Sequence, residues 1–261
     1  MSQASMAKRS VQPLRCAIVQ ATTHYLTFDI FGIPYSEPSY ASVEAFPADG
    51  RSSGVELVWG TQRFAVPPVC GVAYLLTPDD FHRLLVTEGS GVVYEVVAVQ
   101  ARLLDLGETI DAVTLKAKHP IRPNGAPSAR YLVSTAHYWR RRAHCLTAAL
   151  KDLFISGAKG NGLPQTYVDY LESLPRYQKP ARPTVGALIF EYTWRPFLRR
   201  VVRLTTWNVD SEGNCPAWVA FTCVFLYKLM WKYHDCIHRY IWGSGDGGKL
   251  NFIEVRQEAI R

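Results

Sequence analysis

The chain has 261 residues, 48% of them hydrophobic and 20% charged, the composition of an ordinary globular protein with a sizeable core. Its net charge is +7, and residues 181–261 hold 11 Lys and Arg against 7 Asp and Glu. So modest and scattered a basic bias suits an anionic ligand or a membrane surface; with no nucleic-acid-binding motif in the chain, nucleic acid is excluded as an expected partner.

The opening stretch, MSQASMAKRSVQPLR, lacks the apolar run of a signal peptide. The six cysteines, at 16, 70, 145, 215, 223 and 236, show no CxxC spacing. They are expected to be reduced thiols in a cytoplasmic protein. Residues 16–31, CAIVQATTHYLTFDIF, are rich in β-branched and aromatic residues and predict a strand. Pro34 and Pro38 predict a turn over GIPYSEPSY. VELVWG and CGVAYLLT predict two short strands. In TPDDFHRLLVTEG, Thr77 can cap a helix that opens with Pro78, Asp79 and Asp80, and Phe81, Leu84 and Leu85 share one face. Glu88-Gly89 stops that helix, and VVYEVVAVQARLL predicts the strand after it. Residues 114–127 hold three prolines and predict irregular chain. A helix is predicted over 128–158, broken by GAKGNGLP at 157–164. A short helix follows, with Tyr167, Tyr170, Leu171 and Leu174 on one side. RYQKPARPT is the expected boundary segment. Beyond it the composition changes, and five of the seven tryptophans follow residue 181. PAWVAFTCVFLYKLMW is nearly all apolar but shorter than the ~20 residues a spanning helix needs. Two readings stay open for it: a buried helix docked on the main domain, or an interfacial helix on a membrane.

GSGDGG, residues 243–248, has the GxGxxG spacing of a dinucleotide loop. It does not sit between a strand and a helix, so it is read as a flexible turn. HDCIH places His234 and His238 one helical turn apart, the spacing of zinc-binding helices, with Glu254 as a conceivable third ligand. Asp235 is too short to serve well as the general base there, and packing is the preferred reading. No GxSxG is present. That leaves Glu88, a carboxylate between a helix and a strand, which is either a turn residue or a proton carrier at a pocket mouth.

Three separated stretches give Glu88 company. VCGVAYLLTPDDFHRLLVTEGSGVVYEVVAVQA, PSARY, and LFISGAKGNGLPQTYVDYLESL together resemble the γ-glutamyl cyclotransferase family, over about residues 8–178. The segments LTFDIFGIPYSEPSYAS and WRPFLRR…YHDCIHRYIWGSGDGG resemble a fungal secondary-metabolite branch of it, of the gliotoxin-cluster type. The resemblance implies an α+β fold, a small mixed β-barrel or sheet with flanking helices and a pocket at one end, with a C-terminal helical extension. It implies a lyase that releases 5-oxoproline from a γ-glutamyl or glutathione-derived substrate through attack by the substrate's own amine. Glu88 matches the family's catalytic acid/base, and Tyr131, in PSARY, matches a tyrosine near the substrate. Tyr94 is read as a packing residue. No metal or organic cofactor is implied, since the nucleophile belongs to the substrate.

Two departures from the family shape the expectation. Its YGSN substrate loop is missing, and the chain as given is expected to lack the first strand and that loop. Residues 132–149 are inserted relative to the family, as a basic helical extension or a translated intron. The expected organisation is a cyclotransferase-like domain over 1–178 and an aromatic-rich, basic helical extension over 179–261. The expected partner is a small γ-glutamyl molecule, with membrane-surface contact through the extension left open and the oligomeric state undetermined. The alternative is a catalytically impaired member that binds a metabolite or a partner protein.

Overall fold

The computed structural model describes residues 6, 9–47, 54–89, 91–127, 153–177, 182–211 and 213–255. Its spine is β1, Arg15–Ile33. The first half of β1 pairs antiparallel with β5, Pro68–Leu75, and with β6, Tyr94–Leu103. The second half pairs antiparallel with β2, Glu37–Ala45. Irregularities in register between Ala21 and Tyr25 and between Thr27 and Ile30 bend the strand where it changes partners. β6 turns back through Gly107, at φ 74°, into β7, Thr109–Ala117. The strand order is β2-β1-β6-β7, with β5 also on β1.

This sheet curls until its outer strands meet through side chains. The Ala117 N–H donates to Ser42 Oγ at 2.8 Å, and Lys116 Nζ lies 2.7 Å from Glu44 Oε1. No backbone ladder joins β2 to β7 among the described residues, so the barrel stays open. A second antiparallel sheet centres on β3, Gly54–Trp59, flanked by β4, Gln62–Ala65, and β8, Asn251–Val255.

Helix α1, Pro78–Thr87, leads from β5 to β6. Helices α2, Leu153–Gly160, and α3, Gln165–Ser173, pack against both sheets. Tyr167, Tyr170, Leu171 and Leu174, predicted on one face, are all buried in that core beside Phe28 and Leu57. The extension contains two long helical stretches, each interrupted by a π turn. In the first, α4, Val185–Ile189, passes through Phe190–Trp194 into α5, Arg195–Trp207. In the second, α6, Ala217–Tyr233, passes through His234–His238 into α7, Arg239–Trp242. Their inner faces form a second core, in which Phe190, Leu198 and Trp231 close on Phe31, Tyr35 and Val92.

The architecture is α+β, as expected. The sheets are antiparallel in every pairing described, without the closure of a barrel. Pro38 lies inside β2 rather than ending it, because β2 is an edge strand and Pro38 falls between the paired residues Glu37 and Ser39. Residues 114–117, expected to be irregular, complete the β6–β7 hairpin. α2 runs through Gly157 and stops only after Gly160. The rest of the helix predicted over 128–158, with the insertion 132–149, lies outside the described residues. No described helix is long and apolar enough to cross a membrane.

Candidate active site

Glu88 is placed by a helix whose two ends are both written in the sequence. Thr77 Oγ1 accepts from the Asp80 N–H at 3.2 Å, and Pro78 occupies the first turn, where no N–H is needed. At the other end the Glu88 N–H donates to the carbonyls of Leu84 and Leu85, both at 3.1 Å. Gly89 then takes φ 103°, which reverses the chain, and its carbonyl accepts from the Val92 N–H at 2.9 Å. Gly91, at φ 72°, lies so close to the loop before α6 that a Cβ there would stand 2.3 Å from Asn214 Oδ1.

The Glu88 carboxylate is 2.7 Å from Arg9 Nη2, and only 20% of its side chain is exposed. Burial pushes its pKa above the ordinary carboxylate value, while the Arg9 guanidinium pulls it down. The segment carrying Arg9 is fastened across α1. Arg83 Nη1 donates to the Ser10 carbonyl at 3.1 Å, and Met6 and Val11 are buried against Leu84. Nothing in the local sequence marked Arg9 for this position. Tyr94 packs, as read, and its hydroxyl donates to the Ala41 carbonyl at 3.1 Å. Tyr131 lies outside the described residues.

A second sheltered carboxylate escaped sequence reading. Asp29, on β1, is 7% exposed and accepts from Thr27 Oγ1 at 3.3 Å. Burial raises its pKa, while hydrogen bonds from its own backbone, Thr27 and Ser42 oppose the rise. Its position in an apolar strand, next to residues that alternate with it, was the available signal.

A cavity of about 480 Å³ opens between the β1–β2 turn and the extension. Arg195, Arg199 and Arg203 of α5 line one side, with Glu37 and Tyr40 of β2 and Tyr227 of α6 also on its wall. Glu88 is not among its lining residues.

The HDCIH histidines form part of a buried polar network. His234 Nδ1 is 2.8 Å from Asp235 Oδ1, and its Nε2 accepts from the Gly245 N–H at 3.2 Å. Both ring nitrogens are therefore engaged within the protein, in the tautomer protonated at Nδ1. Arg122 pairs with Asp235, approaches Asp246 at 3.9 Å, and lies 4.0 Å above the Trp231 ring. His238 Nδ1 is 3.3 Å from the Tyr233 hydroxyl, and its Nε2 lies against Gly186 without a hydrogen bond of good geometry. Glu254 is on β8 opposite Val55. Among the described residues no three His, Cys, Asp or Glu side chains converge to hold a metal. GSGDGG is a turn, as read, but a wedged one. A Cβ on Gly245 would meet the Tyr35 ring at 2.5 Å, and one on Gly248 would meet Trp59 at 2.5 Å.

Three curated relatives of this chain share one description. It is 44% identical, over 98% of its length and 89% of the other chain, to the γ-glutamyl cyclotransferase gliK of Aspergillus fumigatus. It is 60% identical over 51% of its length, and 76% of the other chain, to the γ-glutamyl cyclotransferase verK of Clonostachys rogersoniana. The γ-glutamyl cyclotransferase gliK of Claviceps purpurea is 30% identical over 92% of this chain and 96% of its own. The family model of the AclK C-terminal domain matches residues 180–241. Full-length likeness of this order defines an enzyme class. The chain belongs to the γ-glutamyl cyclotransferases, in the fungal secondary-metabolite group to which these relatives belong.

Proposed function

We propose that the protein releases 5-oxoproline and a free amine from a γ-glutamyl substrate, a glutathione-derived adduct of fungal toxin biosynthesis. Glu88 is its acid/base, and Tyr131 is a substrate contact. The observation that supports Glu88 is its setting: a carboxylate at a helix end, sheltered enough for its pKa to be raised, and followed by a glycine that turns the chain. A carboxyl group whose pKa is raised accepts a proton and returns it more readily than an ordinary carboxylate. In the reaction, the substrate's α-ammonium gives a proton to the Glu88 carboxylate. The freed amine attacks the γ-carbonyl and forms the ring C–N bond. As the original γ-amide C–N bond breaks, the protonated Glu88 gives its proton to the leaving nitrogen, and the carboxylate so freed takes the second proton from the ring nitrogen and passes it to the departing amine, which leaves as an ammonium. Water is not consumed. Because the attack is intramolecular, holding the substrate in a folded pose supplies much of the acceleration.

The organisation supporting this reading is a cyclotransferase domain over 1–178 and an extension over 179–261. The compartment we assign is the cytoplasm, with the extension in contact with a membrane surface. A second reading has an observation in its favour. Arg9 already occupies the Glu88 carboxylate, and the 480 Å³ cavity lies elsewhere, as suits a member that binds a metabolite without turning it over.

Assaying 5-oxoproline after incubation with γ-glutamyl amino acids and glutathione S-conjugates separates the two. Release that is lost in Glu88→Gln, with the thermal unfolding profile unchanged, is the expected result. Full activity in Glu88→Gln would remove Glu88 from the chemistry. Binding of a γ-glutamyl compound without release would establish the second reading.

A further inference from the structure

Large hydrophobic side chains are exposed along the extension far beyond what a soluble surface needs. On the second helical stretch, residues 217–242, five of them follow one ridge, while Ile237, Ile241 and Trp242 are exposed off it. Trp218 is 64% exposed, Phe221 71%, Phe225 52%, Leu229 47% and Tyr240 78%. Their spacing of three and four residues continues between Leu229 and Tyr240 through exposed Lys232 and Cys236. The opposite side, with Val219, Cys223, Met230, Trp231, His234 and His238, is buried in the second core. Phe221 and Phe225 stack in parallel, 6.1 Å between centroids. At the ~150–250 Å² that an aromatic side chain presents, the ridge exposes on the order of 500 Å², near the upper end for a soluble monomer.

Charge identifies what covers it. Residues 182–242 carry eight Lys and Arg against four Asp and Glu. On the second stretch the charges outside the buried network are Lys228, Lys232 and Arg239, because Asp235 is committed to Arg122 and His234. Lys232 stands within the ridge. Pairing the ridge with a second copy of itself would bring these cations together and supply no carboxylate from that face. A lysine at the edge of lipid instead lays its methylenes along the apolar surface and places its ammonium among phosphates. Tryptophan at one end of the ridge and tyrosine at the other are the residues that settle at headgroup level.

We propose that the outer ridge of residues 217–242 is an interfacial helix. It lies flat on a bilayer whose headgroups are anionic and inserts Trp218, Phe221, Phe225, Leu229 and Tyr240 between them. This rests on the membrane contact assigned to the extension and gives it a face, a depth and a lipid charge; it is independent of the chemistry at Glu88. At 1.5 Å per residue the stretch is about 39 Å long, laid parallel to the membrane plane. The extension thereby holds the cyclotransferase body at the membrane surface.

The test is co-sedimentation of the full chain with vesicles of phosphatidylcholine alone or mixed with phosphatidylserine, with thermal unfolding as the check on folding. Binding is expected to the mixed vesicles, weakening as salt rises and falling about fivefold for each basic residue among Lys228, Lys232 and Arg239 that is replaced by Gln. Phe221→Asp with Phe225→Asp should abolish it with little change in the melting profile, since both side chains are more than half exposed. The tryptophan emission of the chain should shift to the blue on binding, and that shift should be reduced in Trp218→Phe. No partition into mixed vesicles, or undiminished partition by the Phe221/Phe225 variant, overturns the proposal. So does a stable dimer that the same variant dissociates. Vesicle binding without 5-oxoproline release would refute only the chemistry, and release without vesicle binding would refute only the interfacial helix.

Discussion

Glu88 is held between two opposing influences, burial that favours the neutral acid and Arg9 that favours the anion. As a general base it works only when ionised, so activity should fall on the acid side of the Glu88 pKa. Arg9→Gln removes the opposing charge and leaves the burial. The acid limb of the kcat/KM–pH profile should therefore move to higher pH in that variant; a limb that stays in place would mean that the pair does not set the proton affinity. Glu88→Gln should lose roughly 10²–10⁴ of the rate. His234 offers a separate test through stability. Burial lowers its pKa, against smaller raising contributions from Asp235 and Asp246 and a lowering one from Arg122. Below about pH 6.5 the unfolded chain takes up a proton that the folded chain resists, so stability is lost as pH falls from that value toward the depressed one. Melting temperatures from pH 7.5 to 5.5 should drop less steeply in His234→Asn than in the parent. Glu88 was legible because helix stop and motif coincided on it. Arg9, Arg122 and Asp246 were not, since their significance comes from partners 79, 113 and 124 positions away rather than from neighbours in the chain.

Among the elements, the two π turns are where the helical stretches of the extension meet. Phe190 of the first stacks its edge against His238 of the second, 4.8 Å between centroids. Gly186 lets the two stretches close to that distance, because a Cβ there would lie 2.5 Å from Trp242 Cβ and 2.7 Å from His238 Nε2. Gly186→Ala should therefore destabilise the protein by about 1–3 kcal/mol, as overpacking of a buried contact does, measurable by urea unfolding. α1 was readable to the residue because its cap, its first-turn proline and its stop are all local signals. β2 was hidden by Pro38, which signals a break except at the edge of a sheet. The five residues of β8 carry no hairpin turn before them, so only their long-range pairing with β3 defines them as a strand.

For the whole molecule, β8 ties the end of the extension into the sheet of the body, and Phe252 stacks 5.4 Å from Tyr25 of β1. Ending the chain after Leu250 should unpair one edge of β3 and expose part of the first core. The expected outcome is a lower melting temperature and concentration-dependent aggregation by light scattering; an unchanged melt would show that β8 adds little. The α+β class was legible through the separated motifs that resemble the cyclotransferase family. The curl of the sheet and the course of β1 were not, because they depend on which strands meet. β1 is buried without a break from Tyr25 to Gly32 and shares partners with both cores. That feature bears on how the family can change length. One residue gained or lost within Tyr25–Gly32 would turn every following side chain to the wrong face in both cores at once. One gained at the β6–β7 turn near Gly107 would only lengthen an exposed loop. Insertions and deletions among relatives should accordingly collect at such turns and spare this strand, so that gaps in an alignment trace the outline of the sheet.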